Sequence, residues 1–330
     1  MLPLRIIFMG TAELSCASLE KICGDKNFQV VAVVTQPDKP KGRDLKLTPS
    51  PVKILAEKLS LPVLQPPKAR DENFISELRA LKSDLMVVVA YGQILPQTIL
   101  DLPRFGCLNV HTSLLPKYRG AAPIQWAIAD GNSETGVTIM KMDAGLDTGP
   151  VLSTRRTPIL PEDDSQKLHD RLAQLGAELL AETIPDYVAG KISPRPQPAE
   201  GSTYAAKIKK EDGKIDWNLP AEKIWNRLRA FTPWPGAFTF WDGARTACPP
   251  EPETRGQAIR APQLLKIWKA EVAEHSGAAG TILSADKTGI VVGCGKDALR
   301  ILELQREGGK RLTAEQFLAG FPISAGAKLA

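Results

Sequence analysis

The sequence has only three histidines and five cysteines among its 330 residues, which is little material for a metal centre. The cysteines are odd in number, scattered along the chain and not spaced like the ligands of a zinc site. They are Cys16, Cys23, Cys107, Cys248 and Cys294. We therefore expect a protein of a reducing compartment that binds no metal.

Long apolar runs are also absent, and none approaches the ~20 residues that a membrane-spanning helix requires. The first ten residues lack the charged and long apolar segments of a signal peptide, so we interpret them as a buried first strand. Hydrophobic residues make up 43% of the chain and charged residues 24%, as is usual for soluble proteins. We expect a cytoplasmic protein without a membrane partner, and its length predicts two domains.

The positive charge is confined to one part of the chain. Residues 1–189 carry 21 Lys and Arg against 22 Asp and Glu, a net charge of −1, whereas residues 190–330 carry 21 against 15, a net charge of +6. This distribution is typical of a C-terminal part that meets a polyanion, although a merely soluble surface explains the charge alone equally well.

The first half of the chain alternates apolar strand-like runs with segments of helical spacing. Residues 85–90 are apolar throughout, which is typical of a strand covered on both faces. The alternation predicts an α/β fold with a doubly wound, mostly parallel, Rossmann-like sheet. No Gly-x-Gly-x-x-Gly run follows the first predicted strand, which argues against a dinucleotide cofactor. The predicted strands are residues 6–9, 30–35, 62–64, 85–90, 107–111, 136–142 and 149–159, and the predicted helices are residues 14–22, 52–59, 72–81 and 165–188.

The composition changes after residue 189. The stretch 190–202 is rich in Pro, Gly and Ser and is the best linker candidate. Beyond it, one helix at 221–231 accompanies short strands, a pattern that favours a small OB-like β-barrel. We therefore predict a first domain at 1–189, a linker at 190–208 and a C-terminal OB-like domain at 209–330. The predicted C-terminal strands are residues 236–240, 264–272, 280–283, 290–292 and 299–304.

Asn109 and His111 stand two residues apart at the end of a predicted strand, so alternation puts both side chains on one face. In an open α/β sheet, ligands gather beyond the carboxyl ends of the strands. There an amide can donate to the oxyanion of a tetrahedral intermediate and an imidazole can transfer a proton, which is the minimum that acyl transfer needs. A hydrogen-bonded turn is nevertheless the commoner explanation of Asn-x-His at a strand end.

A second candidate segment is the glycine-rich run at 140–150, which carries Asp143 and Asp147 between two predicted strands. A carboxylate at this place can orient His111 and stabilise its protonated form. Asp and Gly are also the residues that tight turns require, so a simple turn explains the segment as well.

Together the two segments resemble the folate-dependent formyltransferase family. The string Asn-Val-His-Thr-Ser-Leu-Leu-Pro-Lys-Tyr-Arg-Gly stands at 109–120, and Asp-Thr-Gly-Pro stands at 147–150. The resemblance spans nearly the whole chain. It implies that Asn109, His111 and Asp147 are catalytic and that 10-formyltetrahydrofolate is the formyl donor, with no metal. It also implies two loops that contact tetrahydrofolate: Tyr91, Gly92 and Gln93 in one, and Ser113, Leu114, Leu115 and Pro116 in the other.

A basic loop indicates which kind of formyltransferase this chain resembles. The segment 36–53 carries five basic and two acidic residues, and at about 15 residues it is longer than a βα connection requires. Its cations can meet a phosphate backbone, although a solvated charged loop is the plainer alternative. It is similar to the basic insertion with which methionyl-tRNA formyltransferases grip the acceptor stem. By this resemblance Arg43 is the key arginine, and Lys39, Lys41 and Lys46 are further tRNA contacts.

The C-terminal part is similar to the appended domain of that family, for example at 203–210 and 306–311. OB-like domains commonly bind nucleic acids through a basic face. We predict that Trp217, Trp225 and Trp234 belong to the core rather than to a base-stacking platform. The predicted phosphate contacts are Lys207, Lys209, Lys210, Lys310 and Arg311.

The implied reaction transfers a formyl group to the α-amine of methionine charged on an initiator tRNA, for translation initiation. Its partners are this tRNA and the folate, and no obligate protein partner is implied. A sugar-nucleotide amine formyltransferase is similar through the His111 motif and the Trp-Pro-Gly segment, but the basic loop and the basic C-terminal part weigh against it. The third alternative is a non-catalytic RNA- or folate-binding protein, which the intact Asn109, His111 and Asp147 disfavour.

The sequence departs from the family pattern after its first predicted strand. It reads Gly-Thr-Ala-Glu-Leu-Ser at 10–15, where the family usually has Gly-Thr-Pro-x-Phe-Ala. The loss of the proline and the aromatic residue concerns the packing near the pterin rather than the chemistry.

Overall fold

The computed structural model describes residues 2–41, 46–241 and 263–330. The chain divides into two compact units. The first comprises Met1–Ile124, Ser133–Leu160 and Lys167–Ala206, and the second comprises Gln125–Asn132, Pro161–Gln166 and Lys207–Ala330.

The elements of the chain up to residue 206 are mostly those of the first unit. Its strands are β1 (Leu4–Gly10), β2 (Phe28–Val34), β3 (Lys39–Lys41), β4 (Lys46–Thr48), β5 (Val63–Leu64), β6 (Leu85–Val89), β7 (Cys107–His111), β8 (Arg119–Gly120), β9 (Glu134–Lys141), β10 (Val151–Pro158) and β11 (Tyr204–Ala205). The helices are α1 (Leu14–Cys23), α2 (Pro51–Lys58), α3 (Glu72–Ala80), α4 (Gln97–Leu100), α5 (Pro123–Ala129) and α6 (Ser165–Val188).

Seven strands of the first unit form one sheet in the order β10-β9-β7-β6-β1-β2-β5. Strands β1, β2, β5, β6 and β7 are parallel, while β9 is antiparallel to β7 and β10 is antiparallel to β9. Every residue of β6 is buried, as its uninterrupted apolar sequence predicts for a strand covered on both faces. The predicted mostly parallel α/β sheet is therefore confirmed.

Parallel strands bring the loops that follow them to one edge of the sheet. The loops after β1, β2 and β6 are joined there, because Thr11 Oγ1 and Gln36 Nε2 each donate to the carbonyl oxygen of Tyr91 at 2.9 Å. Helix α2 then begins after Ser50, whose Oγ accepts from the Lys53 N–H at 3.0 Å and thereby caps the helix. The edge at which β7 also ends is thus built from loops that are bonded to one another.

The second unit contains an antiparallel sheet in the order β12-β13-β16-β15-β14, with β17 paired to β16. The last residues of the chain bond to both edges of this sheet: Phe240 N–H donates to the Ala330 carbonyl and Leu329 N–H to the Gly280 carbonyl, each at 2.8 Å. This closure is what a small barrel requires, and assignment to the OB type stays a prediction. The elements are α7 (Ala221–Ala230), β12 (Ala237–Trp241), β13 (Gln263–Ala273), β14 (Ile282–Asp286), β15 (Gly289–Gly293), β16 (Ala298–Arg306), β17 (Arg311–Thr313) and α8 (Ala314–Gly320).

One predicted core residue is not in the core. Trp217 is buried, and Trp225 packs against the core of the second unit while partly exposed. Trp234 is 58% exposed, so its assignment to the core was wrong. It lies in the turn between α7 and β12, where no periodic pattern gives a buried face. Within the described ranges, no helix combines the length and the apolar composition that crossing a membrane demands.

Candidate active site

Three polar side chains meet where β7 ends. Asn109 and His111 lie on the same face of β7, and Asp147 reaches them from the loop between β9 and β10. The distance from Asn109 Nδ2 to Asp147 Oδ1 is 3.4 Å, and that from His111 Nδ1 to Asp147 Oδ2 is 3.8 Å. An amide, an imidazole and a carboxylate therefore share one place, although 36 residues of chain separate the histidine from the aspartate.

The hydrogen bonds of His111 fix its tautomer. Its Nε2 lies 2.9 Å from the main-chain oxygen of Tyr118, and a carbonyl oxygen can only accept a hydrogen bond. Nε2 therefore carries the proton in the neutral ring, and the lone pair of Nδ1 faces Asp147. Because the His111 side chain is only 7% exposed, this lone pair is a proton acceptor in a largely water-free place beside a negative charge.

Asp147 is held from several sides. The Gly120 N–H donates to Asp147 Oδ2 at 2.8 Å, in addition to the contact with Asn109. The main chain of Asp147 is left-handed, with φ of +53°, a conformation that costs a residue other than glycine about 1 kcal/mol or more. Only 13% of its side chain is exposed. Its carboxylate is thus positioned to stabilise positive charge on His111.

The other candidate carboxylate, Asp143, forms its hydrogen bonds within its own loop. Asp143 Oδ1 accepts hydrogen bonds from the Gly145 N–H at 3.1 Å and from Thr148 Oγ1 at 2.7 Å. These bonds close the exposed turn within its own loop. Of the two acidic residues in this loop, Asp147 is the one that contacts His111.

Packing and hydrogen bonds fix the side chains of Tyr91 and Gln93 in the loop after β6. Tyr91 packs into the core, where burial raises the pKa of its hydroxyl to about 12, and Gln93 Oε1 accepts from the Ala69 N–H at 2.8 Å. Gly92 has φ of +83°, and a Cβ on it would lie 2.4 Å from Gln36 Nε2. Glycine is therefore required here, because a side chain would meet both strain and a clash. Gln36 was not among the predicted site residues.

The loop after β7 is similarly fixed. Ser113 is buried, and its Oγ donates to the Lys117 carbonyl at 2.6 Å. Thr138 Oγ1 donates to the Ser113 carbonyl at 2.7 Å and accepts from the Leu115 N–H at 3.2 Å. Leu114 and Pro116, the other predicted members, are half-buried. This loop follows directly on His111, so its position relative to the catalytic candidates is set by covalent bonds.

The basic loop contains the short strands β3 and β4, which pair in an antiparallel arrangement. Lys39 and Lys46 are exposed on its two strands, and Lys41 ends β3. Arg43 lies outside the described residues. Lys39, Lys41 and Lys46 therefore stand on a two-stranded element rather than on an unstructured connection.

In the second unit, all five predicted phosphate contacts are exposed: Lys207, Lys209, Lys210, Lys310 and Arg311. The structure adds an aromatic residue that was not predicted. The half-buried ring of Trp268 on β13 has Lys266 Nζ 6.0 Å and Arg311 Cζ 5.2 Å from its centroid. Its signal in the sequence was the alternation of β13, in which Leu265 and Ile267 point inward and Lys266 and Trp268 outward. The ring therefore has two cationic side chains within about 6 Å of its centroid.

The chain matches known proteins over nearly its whole length. Residues 4–184 match the formyl transferase family, and residues 207–322 match the C-terminal domain of formyl transferases. The methionyl-tRNA formyltransferase of Geobacter sulfurreducens is 49% identical over 329 residues, which cover 100% of this chain and 98% of that protein. The methionyl-tRNA formyltransferase of Citrifermentans bemidjiense is 50% identical, with 100% of this chain and 97% of that protein covered.

Two solved structures share the fold at low identity. The N-formyltransferase from Helicobacter canadensis, in complex with folinic acid and dTDP-3-aminofucose, has a TM-score of 0.63 and 19% identity, covering 90% of this chain and 99% of that one. HypX from Aquifex aeolicus, in complex with tetrahydrofolic acid, has a TM-score of 0.58 and 17% identity, covering 96% of this chain and 47% of that one.

Proposed function

Because the chain belongs to the formyl transferase family, we propose that it moves the formyl group of 10-formyltetrahydrofolate to the α-amine of methionine charged on an initiator tRNA. The observation that carries this proposal is the full-length match, at 49% and 50% identity, to relatives named methionyl-tRNA formyltransferase. The convergence of Asn109, His111 and Asp147 supports the same chemistry. The formylated methionyl-tRNA serves translation initiation, and the protein is a one-carbon group transferase.

The residues at the end of β7 fit a formyl donor, because an amide donor and a proton acceptor stand side by side there. The folate, when bound, supplies a formyl group activated by its attachment to nitrogen. Asn109 donates a hydrogen bond to the formyl oxygen as negative charge develops on it. His111 accepts the proton of the attacking amine at Nδ1 and returns it to the leaving nitrogen. Asp147 stabilises the imidazolium between these two transfers, since its carboxylate faces Nδ1.

The folate is proposed to lie along the loops after β6 and β7. Tyr91, Gly92 and Gln93 border the pterin through their main chain, and residues 113–116 contact it from the other side. The bonds that fix these loops support this role, because loops that are already ordered lose little conformational entropy on binding. Gln36 joins this set because its amide donates to the carbonyl of Tyr91.

An acceptor assay tests the proposed function. The purified protein is incubated with 10-formyltetrahydrofolate and either methionyl-tRNA or an amino-sugar nucleotide, and the formylated product is measured. Transfer to methionyl-tRNA is expected. Transfer to the amino sugar alone would instead identify a sugar amine formyltransferase, and binding of either ligand without transfer would identify a non-catalytic protein.

Arg43→Ala should lower kcat/KM for methionyl-tRNA while KM for the folate stays unchanged. The loss of one phosphate contact should reduce the slope of log K against log salt concentration for tRNA binding by roughly one. Initial rates at several salt concentrations measure both effects. The matched control is Lys58→Ala, a basic residue exposed at the end of α2. Loss of folate affinity with tRNA affinity intact would contradict the role of this loop.

Trp268→Ala should weaken tRNA binding by about 5- to 150-fold, because stacking of a base on an aromatic ring contributes roughly 1–3 kcal/mol. Filter binding or fluorescence titration with charged tRNA measures the change. Val272→Ala is the control, since Val272 is an exposed apolar residue on the same strand. Equal affinity of the Trp268 variant and the wild type for tRNA would show that this ring does not contribute to tRNA binding.

A further inference from the structure

Residues 195–205, which their composition predicts as part of a linker, run against the loops of the candidate active site. We call this segment the strap. At its start, Arg195 and Val151 exchange both main-chain hydrogen bonds, at 2.7 and 2.8 Å. At its end, β11 pairs in parallel with β8, and the Ala121 N–H donates to the Ala205 carbonyl at 2.9 Å. The strap is therefore bonded at both ends to other segments of the first unit.

Gln197 lies in the middle of the strap and uses its whole side-chain amide. Its Nε2 donates to the carbonyl oxygens of Asp147 and Gly149, each at 2.8 Å. Its Oε1 accepts from Arg119 Nε at 3.1 Å and from Arg119 Nη2 at 2.7 Å. These partners fix the orientation of the amide, because the reverse orientation would face donors with donors and acceptors with acceptors.

The two carbonyl groups that Gln197 holds belong to the turn that presents Asp147. The other side of this turn packs closely against the main chain of β9, since a Cβ on Gly149 would lie 1.9 Å from the Lys141 carbonyl oxygen. Asp147 itself has the left-handed main chain described above. The Gln197 amide thus fixes Asp147, whose carboxylate contacts both Asn109 and His111.

The far end of the strap holds the other side of the site. The Tyr118 N–H donates to Thr203 Oγ1 at 2.8 Å, and the Arg119 N–H donates to the Thr203 carbonyl at 2.9 Å. The next groups along this loop are the Tyr118 carbonyl, which contacts His111, and the Gly120 N–H, which contacts Asp147. Both loops that set the His111–Asp147 geometry are therefore tied to the same strap.

We infer that Gln197 is a positioning residue for formyl transfer, which keeps the Asp147 carboxylate aligned with His111 and Asn109 through its hydrogen bonds to the Asp147 turn. The inference rests on the proposed function, because the alignment matters only if these side chains act on the formyl group. Gln197 touches neither substrate nor the reacting atoms in this role. Its effect is on kcat, through Asp147.

Gln197→Ala should lower kcat by about 10- to 100-fold, as misplacement of a reacting group by an ångström or less does, with KM for methionyl-tRNA and for the folate unchanged. Gln197→Glu should lower kcat by at least as much. It keeps an oxygen for Arg119 but replaces both donors to the carbonyl groups with a carboxylate. Full activity of Gln197→Glu would show that the contact with Arg119, and not the hold on the Asp147 turn, is what matters.

The decisive comparison uses Asp147→Asn as a second background. If Gln197 acts through the Asp147 carboxylate, the double variant should be no slower than Asp147→Asn alone, whereas a general loss of structure would slow the two backgrounds equally. Glu200→Ala, an exposed residue of the same strap, is the control and should keep wild-type kcat. Thermal melting of each variant checks the fold. An active wild type with a fully active Gln197→Ala overturns this inference alone, whereas an inactive wild type overturns the proposed function.

Discussion

Asn109→Ala should lower kcat for formyl transfer by about 10²- to 10³-fold, while the affinity for charged tRNA stays unchanged. The amide stands on β7 beside His111, with Nδ2 3.4 Å from Asp147 Oδ1, and a second N–H of the same group is available to the formyl oxygen. Loss of a preorganised oxyanion donor costs ~3–4 kcal/mol in the transition state. The ground state loses only one long hydrogen bond, so the fold should be retained.

Single-turnover rates with purified methionyl-tRNA measure this effect separately from product release. Asn73→Ala provides the control, because Asn73 is an exposed asparagine of the same unit at the start of α3. Tight binding of tRNA by the Asn109 variant would locate the defect in the chemical step. A variant that kept near-normal single-turnover rates would show that Asn109 does not stabilise the oxyanion.

Asp147→Asn should lower kcat by about 10²- to 10⁴-fold, the range over which proton transfer by a positioned side chain contributes. The substitution keeps the shape of the side chain and an oxygen for the Gly120 N–H, but it removes the charge that faces His111 Nδ1. The imidazolium formed during transfer then lacks its partner in a poorly hydrated place. Binding of methionyl-tRNA should change little.

Asp143→Asn is the matched control for the second prediction. Asp143 lies in the same loop, is exposed, and can keep its bonds to Gly145 and Thr148 through an amide oxygen. Equal losses in the Asp143 and Asp147 variants would point to a general disturbance of the loop. A large loss confined to Asp147→Asn would assign the effect to the carboxylate beside His111.

The two substitutions should not be additive. Asn109 and His111 each contact Asp147, and the effects of residues that act as a unit are not additive, because the first substitution already removes most of the joint effect. The Asn109→Ala/Asp147→Asn double variant is therefore expected to be slower than either single variant, but by less than the product of the two effects.

Local patterns predicted the elements that carry the site. The uninterrupted apolar run of β6, the alternation of β7 and the helical spacing of α6 each place the element within a residue or two of its bounds. Sequence patterns did not predict strands that consist of a few residues and pair with a segment far away in the chain. Strands β8 and β11 contain two residues each and are 84 residues apart, so neither leaves a periodic signal. The same reason explains why a composition typical of a linker gave no indication of the strap.

The sequence by itself determined the order of the elements, the parallel sheet, and the presence of an amide and an imidazole on one face at the end of β7, because side-chain alternation and backbone preference are local properties. Only the tertiary structure decided which ring nitrogen of His111 faces the Asp147 carboxylate, and that Gln197 holds the turn that presents this carboxylate. These contacts join segments tens of residues apart. They depend on how the loops close over the sheet edge and on which hydrogen-bond partners are left there, and neither is encoded in any single stretch of chain.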